Sequence, residues 1–557
     1  MPTIELSKKD LFKLIGRTLS KNELEEDIML VKGEIESEEG DLIKVEIADT
    51  NRPDLWSAEG VAREIKRKYS KSNEKPFGKI KPSGIVVNVD KNLKNIRPMT
   101  VCAVVRNLNI TPTVLSQLIQ LQEKVCETFG SKRKEAAIGV YDLHRITSPI
   151  TYKAFKPNEI TFIPLEFTRK LNLNQILRTH PKGKEYALLL EGHDKYPIFI
   201  DKTGEVLSMP PVINSDHTGK VDETTKDLFI ECSGFSLKYL VPALNVIVSA
   251  LSERGGMIES VKVVYHDKTL VTPDLTTKKI KVDWKYLENR MGVNVGKSKM
   301  KTLLREAGYN VLKEKGNDLE LEYPAYRQDI MHPVDVGEDV TIRYGFNNII
   351  PENPQMVTEQ SMQKINWFSK RVANIIIGLG AQEILSYTLT NKETMIKKMN
   401  LKEMKTIDIS NAVSKNWSVF RTWLTPCLMD FFSKNTNKEY PQQIFEIGEV
   451  VLFDENAETR TKNPTRMAWA KADKTADFTE AKQAFDFLLR TLGIKYTMEE
   501  TKHESFIEGR VARVYVNKKA VAYVGEIHPV VVDSFGLEMP VCVFELNLTE
   551  LMHEVLK

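Results

Sequence analysis

Leu319–Tyr344 reads LELEYPAYRQDIMHPVDVGEDVTIRY, and the division of the chain hangs on it. An alternating run ends at Pro324, Tyr326, Arg327 and Asp329 follow, and Pro333 opens a helical pattern. Asp335, Glu338 and Asp339 stand at i, i+3 and i+4, so they share one helical face, and Asp329 can fold back onto it. Four acids this close repel one another unless something positive sits among them. A hard cation with oxygen ligands is one answer, and magnesium suits a site whose shell is completed by water. The plainer alternative is also open: acids in a first helical turn favour the positive end of the helix dipole, and proline at the first helical position is ordinary.

The stretch has a relative near the N-terminus. Lys44–Tyr69 reads KVEIADTNRPDLWSAEGVAREIKRKY. At an offset of 275 (327 − 52), Arg52 meets Arg327, Asp54 meets Asp329, Val61 meets Val336 and Glu64 meets Asp339. With a one-residue slip upstream, Gly16 in LFKLIG meets Gly292 in LENRMG. A module of about 75 residues therefore occurs twice, not as a tandem array. The first copy carries Gly60 and Arg63 where the second carries Asp335 and Glu338, so a metal site is expected in the second copy only.

At 557 residues the chain has room for three to five domains. A net charge of +3 permits RNA contact without demanding it. The five cysteines are scattered and form no CxxC pair, which points to a reducing cytoplasm and away from structural zinc or disulfides. The N-terminus has no uninterrupted apolar region, and no 18-residue apolar stretch occurs, so neither a signal peptide nor a membrane association is expected.

The composition breaks suggest four domains. Residues 1–75 form the first module, with Ser7 as a helix N-cap and a second helix from Asn22. Residues 70–84 read as a polar linker. Residues 85–272 mix apolar strands and helices, an α/β pattern; YALLLEG and YPIFID read as strands before LSMPPVIN. LFIECS (Leu228–Ser233) is an apolar strand with one acid, Glu231, which either faces solvent or lines a pocket. Lys132, Arg133 and Lys134 are read as solvated surface, with a phosphate contact as the alternative. Residues 273–350 form the second copy, a small winged or helix-rich unit. Residues 355–557 show hairpin-spaced strands, an antiparallel sheet with flanking helices, so the whole is a multi-domain α+β protein. Arg421–Asn437 reads as helical, and Gly378 and Gly380 as a helix C-cap, since they precede a strand where a dinucleotide fingerprint would follow one. No P-loop, GxSxG, HExxH or CxxC is present.

DTNRPDLWSAEGVAREI, VLSMPPVINS, LFIECSG, YRQDIMHPVDVGEDVTIRYG and IFEIGEVV, in this order, together resemble the β subunit of phenylalanyl-tRNA synthetases of the archaeal and eukaryotic cytosolic type. The resemblance implies an N-terminal module, an editing domain, a second module, and a C-terminal domain shaped like a class II synthetase core but inactive; no GxGxxxR segment is found. It implies an α subunit that binds ATP and activates phenylalanine, an α2β2 heterotetramer, tRNA(Phe) as partner, and a cytoplasmic location. It implies a magnesium site at Asp329, Asp335, Glu338 and Asp339, and an editing pocket of Phe199, Ser208, Glu231 and Ser233 with no side-chain nucleophile. Cys232, next to Glu231 on a strand, is expected to point into the core. The pocket has a physical rationale. An apolar phenylalanine site rejects tyrosine only by leaving one hydroxyl unsatisfied, a discrimination of roughly 10². A second site that binds the hydroxyl can hydrolyse the wrong product, and a carboxylate suits that task. The competing readings are a non-catalytic RNA-binding and assembly scaffold with a decayed pocket, and a free-standing nucleic-acid-binding protein, which the lack of a long basic helix disfavours.

Overall fold

The structure is a computed structural model that describes residues 2–72, 77, 80–354 and 361–555. Positions 73–76, 78 and 79 of the expected linker, and the expected start of the last domain at 355, lie outside the described residues. The chain divides into two compact units, Met1–Asn353 and Pro354–Lys557.

The first unit contains the repeat twice. The first copy runs β1 (Thr3–Ser7), α1 (Lys8–Ile15), α2 (Lys21–Met29), β2 (Gly33–Glu39), β3 (Leu42–Ile47) and α3 (Ala58–Tyr69), with sheet order β1-β3-β2. Ser7 caps α1, and α1 ends at Gly16 in the left-handed region (φ 82°), where a Cβ would be strained. The second helix starts two residues earlier than Asn22 suggests, because Ser20 and Glu23 close a capping box.

A large domain follows. Its strands are β4 (Lys81–Val89), β5 (Met99–Arg106), β6 (Ala136–Asp142), β7 (Ile150–Phe155), the small hairpin β8 (Thr161–Phe162) and β9 (Leu171–Asn172), β10 (Tyr196–Ile200), β11 (Val206–Met209), β12 (Ile213–Asn214), β13 (Leu228–Gly234), β14 (Met257–Val264) and β15 (Thr269–Thr272). Its helices are α4 (Pro112–Glu127), α5 (Leu173–Thr179), α6 (Pro181–Tyr186), α7 (Asp216–Gly219) and α8 (Leu237–Glu253). One sheet runs β12-β11-β10-β7-β4-β14-β5-β13-β6, with β15 beside β14. YALLLEG is not a strand: Tyr186 ends α6, and Ala187–Leu190 is a 3-10 turn. A short apolar run carries no period to tell strand from helix, and His180 with Pro181 had already set a helix start. Both faces of β13 are covered, so LFIECSG is buried throughout. Ile230 and Cys232 pack in the same core as Leu240, Leu244 and Ile247 of α8. Phe229 belongs to a second core with Tyr141, Tyr152 and Phe199.

The second copy repeats the first: β16 (Lys278–Asp283), α9 (Trp284–Met291), α10 (Gly296–Glu306), β17 (Asn310–Lys315), β18 (Asp318–Tyr323) and α11 (Pro333–Tyr344). Its sheet order, β16-β18-β17, matches that of the first copy, and Gly292 (φ 71°) ends α9 as Gly16 ends α1.

The second unit is a seven-stranded sheet in the order Gln382–Glu383, Gln442–Glu449, Thr465–Ala472, Val541–Asn547, Lys519–Ile527, Phe506–Val516, Thr497–Glu500. All neighbours are antiparallel except the first pair. Period two divides its residues between two cores. Phe445, Met467, Trp469 and Phe544 pack with Phe368, Phe485 and Leu551 from three helices. Ile444, Ala468, Ala470 and Val543 pack with Leu428 and Val531 from two others. The expected helix at Arg421 begins only at Thr425. Arg421 instead pairs with Glu446 at 2.5 Å, beside Gly448, where a Cβ would lie 2.2 Å from the guanidinium. Lys364–Ile377 is capped by Gly378, as the sequence suggests. Among the described residues no helix is long and apolar enough to cross a membrane.

Candidate functional site

A cavity of about 440 Å³ lies between α4 and the β6–β13–β11 part of the large sheet. Leu115, Leu118 and Ile119 of α4 form one wall, and Pro210 and Pro211 another. Ser208 and Glu231 line it as well, and both are buried. Such a volume suits an amino-acid side chain and its attachment.

Glu231 does not face solvent. It is 2 % exposed, its Oε2 is buried without a hydrogen-bond partner, and its Oε1 lies 3.2 Å from the Tyr141 hydroxyl. The same hydroxyl lies 2.7 Å from Ser208 Oγ, and its single proton serves one of the two at a time. Burial pushes the Glu231 carboxyl up to about 8, and Arg97, Tyr141 and Ser233 offset only part of that. At neutral pH the cavity therefore holds an uncharged acid with a free lone pair, able both to donate to and to accept from a hydroxyl.

The other two expected pocket residues stand behind this face. Ser233 shares the face of Glu231, but its Oγ accepts from Arg97 Nε at 3.1 Å and it does not line the cavity. Phe199 is opposite Ser208 in the β10–β11 register, yet it is fully buried and stacks on Tyr152 with centroids 4.1 Å apart. Cys232 is buried in the α8 core, as expected. Arg133 is not merely solvated: it donates to the Pro211 and Val212 carbonyls, lies 4.3 Å over the Tyr186 ring, and lines the cavity.

Tyr141 and Gly139 were missed. They lie two apart on β6, so they share a face, and Gly139 is registered opposite Glu231. A Cβ on Gly139 would sit 2.2 Å from the Tyr141 hydroxyl and 2.7 Å from Glu231 Oε1. A glycine inside the apolar strand AAIGVYDL signals such a close approach. Gly139→Ala is therefore expected to displace Glu231 and Tyr141 and remove the polar end of the cavity. The check is a structure of the variant, with Glu231 Oε1 more than about 1 Å from its native position, since the added methyl must open a contact to ordinary distance.

The four acids of the second module do not converge. Asp329 and Asp339 both bond Arg327, at 2.6 and 2.7 Å. Asp339 also accepts from Tyr309 at 2.6 Å. Asp335 accepts from the Met331 and His332 amides and closes the N-terminal capping box of α11. Glu338 turns away to Lys32 at 2.7 Å. Among the described residues no three His, Cys, Asp or Glu side chains group so as to hold a metal. The positive charge that Asp329 and Asp339 require is Arg327. The first copy is built alike, with Arg52 bonding Asp54 (2.8 Å) and Glu64 (3.1 Å). The repeat itself carried that signal, since the arginine and both acids recur at one offset. The two copies also bind one another: Arg343 of the second copy joins Arg67 of α3 in pairing with Glu64, Arg67 donates to the Tyr326 hydroxyl, and Arg63 lies over the Tyr326 ring. Against burial, these arginines and Arg52 hold the Glu64 carboxyl well below the usual carboxylate range.

This architecture has known counterparts. Residues 86–255 match a family described as "B3/4 domain", residues 280–346 one described as "tRNA synthetase B5 domain", and residues 349–548 one described as "Phenylalanyl tRNA synthetase beta chain CLM domain". The chain is 46% identical over 555 residues to the phenylalanine–tRNA ligase β subunit of Pyrococcus abyssi, covering 99% of this chain and 100% of that one. It is 35% identical over 553 residues to that of Methanococcoides burtonii, covering 99% and 100%. A solved N-terminal fragment of the phenylalanyl-tRNA synthetase β subunit from Pyrococcus horikoshii superposes with a TM-score of 0.60 at 45% identity, covering 62% of this chain and all of the fragment. The chain is thus built as a tRNA-synthetase subunit. It belongs to the family of phenylalanine–tRNA ligase β subunits.

Proposed function

We propose that the chain works with an α subunit to attach phenylalanine to tRNA(Phe), and that its own 440 Å³ cavity hydrolyses tyrosyl-tRNA(Phe). The observation that carries the second half is Glu231, a buried acid with an unpartnered oxygen, in a cavity that also has the apolar walls Leu115, Leu118, Ile119, Pro210 and Pro211. A phenylalanyl side chain would leave that oxygen unsatisfied, whereas a tyrosyl hydroxyl would satisfy it. Ser208 and Tyr141 orient the carboxyl, and Ser233 with Phe199 back the site. Water adds to the ester carbon, the bond to the ribose oxygen breaks, and tyrosine and uncharged tRNA leave. Ser208, the alcohol side chain in the lining, has its Oγ bonded to the Tyr141 hydroxyl and not to a histidine, lysine or carboxylate that would activate it, so positioned water and the neighbouring ribose hydroxyl carry the step. The scaffold alternative is not favoured, because a decayed pocket has no reason to keep a buried acid.

The same reading assigns residues 1–75 and 273–350 to paired winged modules, 85–272 to editing, and 355–557 to a synthetase-like core without its own synthetic site. ATP is bound by the α subunit, in an α2β2 assembly of the cytoplasm. ATP and magnesium would serve synthesis there. The acids Asp329, Asp335, Glu338 and Asp339 of this chain, committed to Arg327, Lys32 and a helix cap, do not fit a magnesium site by themselves.

The test is clearance of tyrosyl-tRNA(Phe) and phenylalanyl-tRNA(Phe) by the chain reconstituted with its α subunit. Native protein is expected to prefer the tyrosyl ester. Glu231→Ala is expected to lose that preference by roughly 10²-fold, the scale of a lost hydrogen bond to a buried polar group. Equal inertness of both proteins, with aminoacylation intact, would sink the editing assignment.

A further inference from the structure

The second unit holds a cavity that the proposed activity does not use. It measures about 600 Å³ and lies on the sheet beside Val541–Asn547, roofed by the segment around Trp423 and the hairpin Leu452–Phe453/Thr461–Lys462. Its walls combine two features rarely met together by chance.

The first is an aromatic cluster. Trp423 and His503 lie 5.6 Å apart, and His503 is 5.1 Å from Phe506 and 5.3 Å from Tyr523. Burial keeps His503 on the neutral side of its ordinary range. These four side chains all line the cavity, with Phe453 at its edge. The second is an excess of positive charge: Lys405, Lys462, Arg466 and Arg513 face a single lining carboxylate, Glu545. Glu545 is fully engaged, accepting from the Leu424 and Thr425 amides, the Thr425 hydroxyl and Arg466. Lys462 has one outside partner, Asp454 at 3.4 Å, and Arg513 lies 4.0 Å over the Tyr523 ring.

Two buried donors in this lining have no acceptor, Trp423 Nε1 and Arg466 Nε. Trp423 is 8 % exposed. Unpartnered indole N–H groups also occur at Trp56, Trp284 and Trp469, but none of those lines a cavity described here. A buried donor without an acceptor costs about 1–3 kcal/mol in general, so a pair of them at one cavity calls for an oxygen-bearing guest.

We propose that this cavity binds a flat heteroaromatic ring bearing an anionic group, the chemistry of a nucleoside monophosphate. The ring packs on the cavity-facing side of the Trp423, His503, Phe506 and Tyr523 cluster. The anion takes the Trp423 and Arg466 donors and neutralises the cationic rim. The site is separate from the editing cavity, and every residue in it belongs to the second unit.

The probe is adenosine 5′-monophosphate, titrated by calorimetry into the full-length chain without its α subunit, with adenosine and inorganic phosphate as controls. The nucleotide is expected to bind with a Kd of about 10 μM to 1 mM, and each fragment about tenfold or more weaker. Trp423→Phe, which removes one N–H and keeps a ring, is expected to weaken it about fivefold. Lys462→Gln with Arg513→Gln, both at the rim, is expected to weaken it about tenfold and to leave the melting temperature within about 2 °C. Should Trp423→Phe fail to fold, the rim variant decides. Nucleotide binding no tighter than adenosine, binding unchanged by the variants, or no binding at about 10 mM overturns the proposal.

Discussion

Exchanging Glu231 for glutamine is expected to stabilise the chain, and more so at pH 8 than at pH 5. The native carboxyl titrates at about 8 in the fold, against an ordinary 4.5. Below pH 4.5 both folded and unfolded chains hold the proton, and the residue contributes nothing. Between pH 4.5 and 8 the unfolded chain releases it while the folded chain keeps it. The folded state then binds more protons, so stability falls as pH rises, and above pH 8 the deficit stays level. At pH 7 it amounts to something on the order of 3 kcal/mol. Glutamine is neutral throughout and has no such slope. Urea denaturation of both proteins at pH 5, 7 and 8.5 measures it: the gap should widen from pH 5 to 8.5. Parallel curves would mean that the acid ionises in the fold like any surface carboxylate. Such a gain in stability on replacing a native side chain is expected of a residue kept for chemistry.

Arg327→Met is expected to be among the most damaging single changes in the first unit. Arg327 is 2 % exposed and is held by both Asp329 and Asp339. Methionine fills similar space but leaves two largely buried acids without their main counter-charge, a loss of about 3–5 kcal/mol. Arg52 is 3.8 Å from Asp329, too far and too committed to Asp54 and Glu64 to replace it. Arg327→Lys keeps the charge but not the fork, and should recover only part. Adding Asp329→Asn and Asp339→Asn to Arg327→Met should restore much of the loss, because the penalty lies in unpaired charge. Midpoints of chemical denaturation report all three. A loss under about 1 kcal/mol for Arg327→Met would show that water reaches the acids and screens them.

The sequence pattern carried the repeat and the place of Glu231 on an apolar strand. It also carried the alternating strands of the second unit, where odd and even residues go to different cores. It could not tell whether Glu231 faces water, because β13 is covered on both sides and alternation then has no polar face to show. Phe199 lies opposite Ser208 and Ser233 on the face of Glu231, as spacing implies, but which side chain reaches the cavity depends on Tyr152 and Arg97, far away in sequence. The acidic cluster was read with its acids in view and its arginine out of view. Arg327 lies outside the helical period that grouped Asp335, Glu338 and Asp339, so a helical wheel leaves out the charge that organises two of the four.

The duplicated modules have parted ways within one chain. Leu11, Ile28, Val61 and Ile65 of the first copy share a single core with α4 and α8 of the domain that follows, and Arg254 of that domain clamps Asp10 and Glu59. The second copy keeps a core of its own, built on Trp284, Leu287, Met300 and Val340, and sends only Leu275, Ala325 and Tyr326 into the shared one. One twin has been absorbed into the wall of the pocket-bearing domain, while the other keeps most of its core to itself and docks on its sibling by charge and through the buried Tyr326. Lineages can therefore reshape the second copy's outer face with little disturbance to the cavity, whereas drift in the first copy is felt through the shared core on the far side of β13 from Glu231.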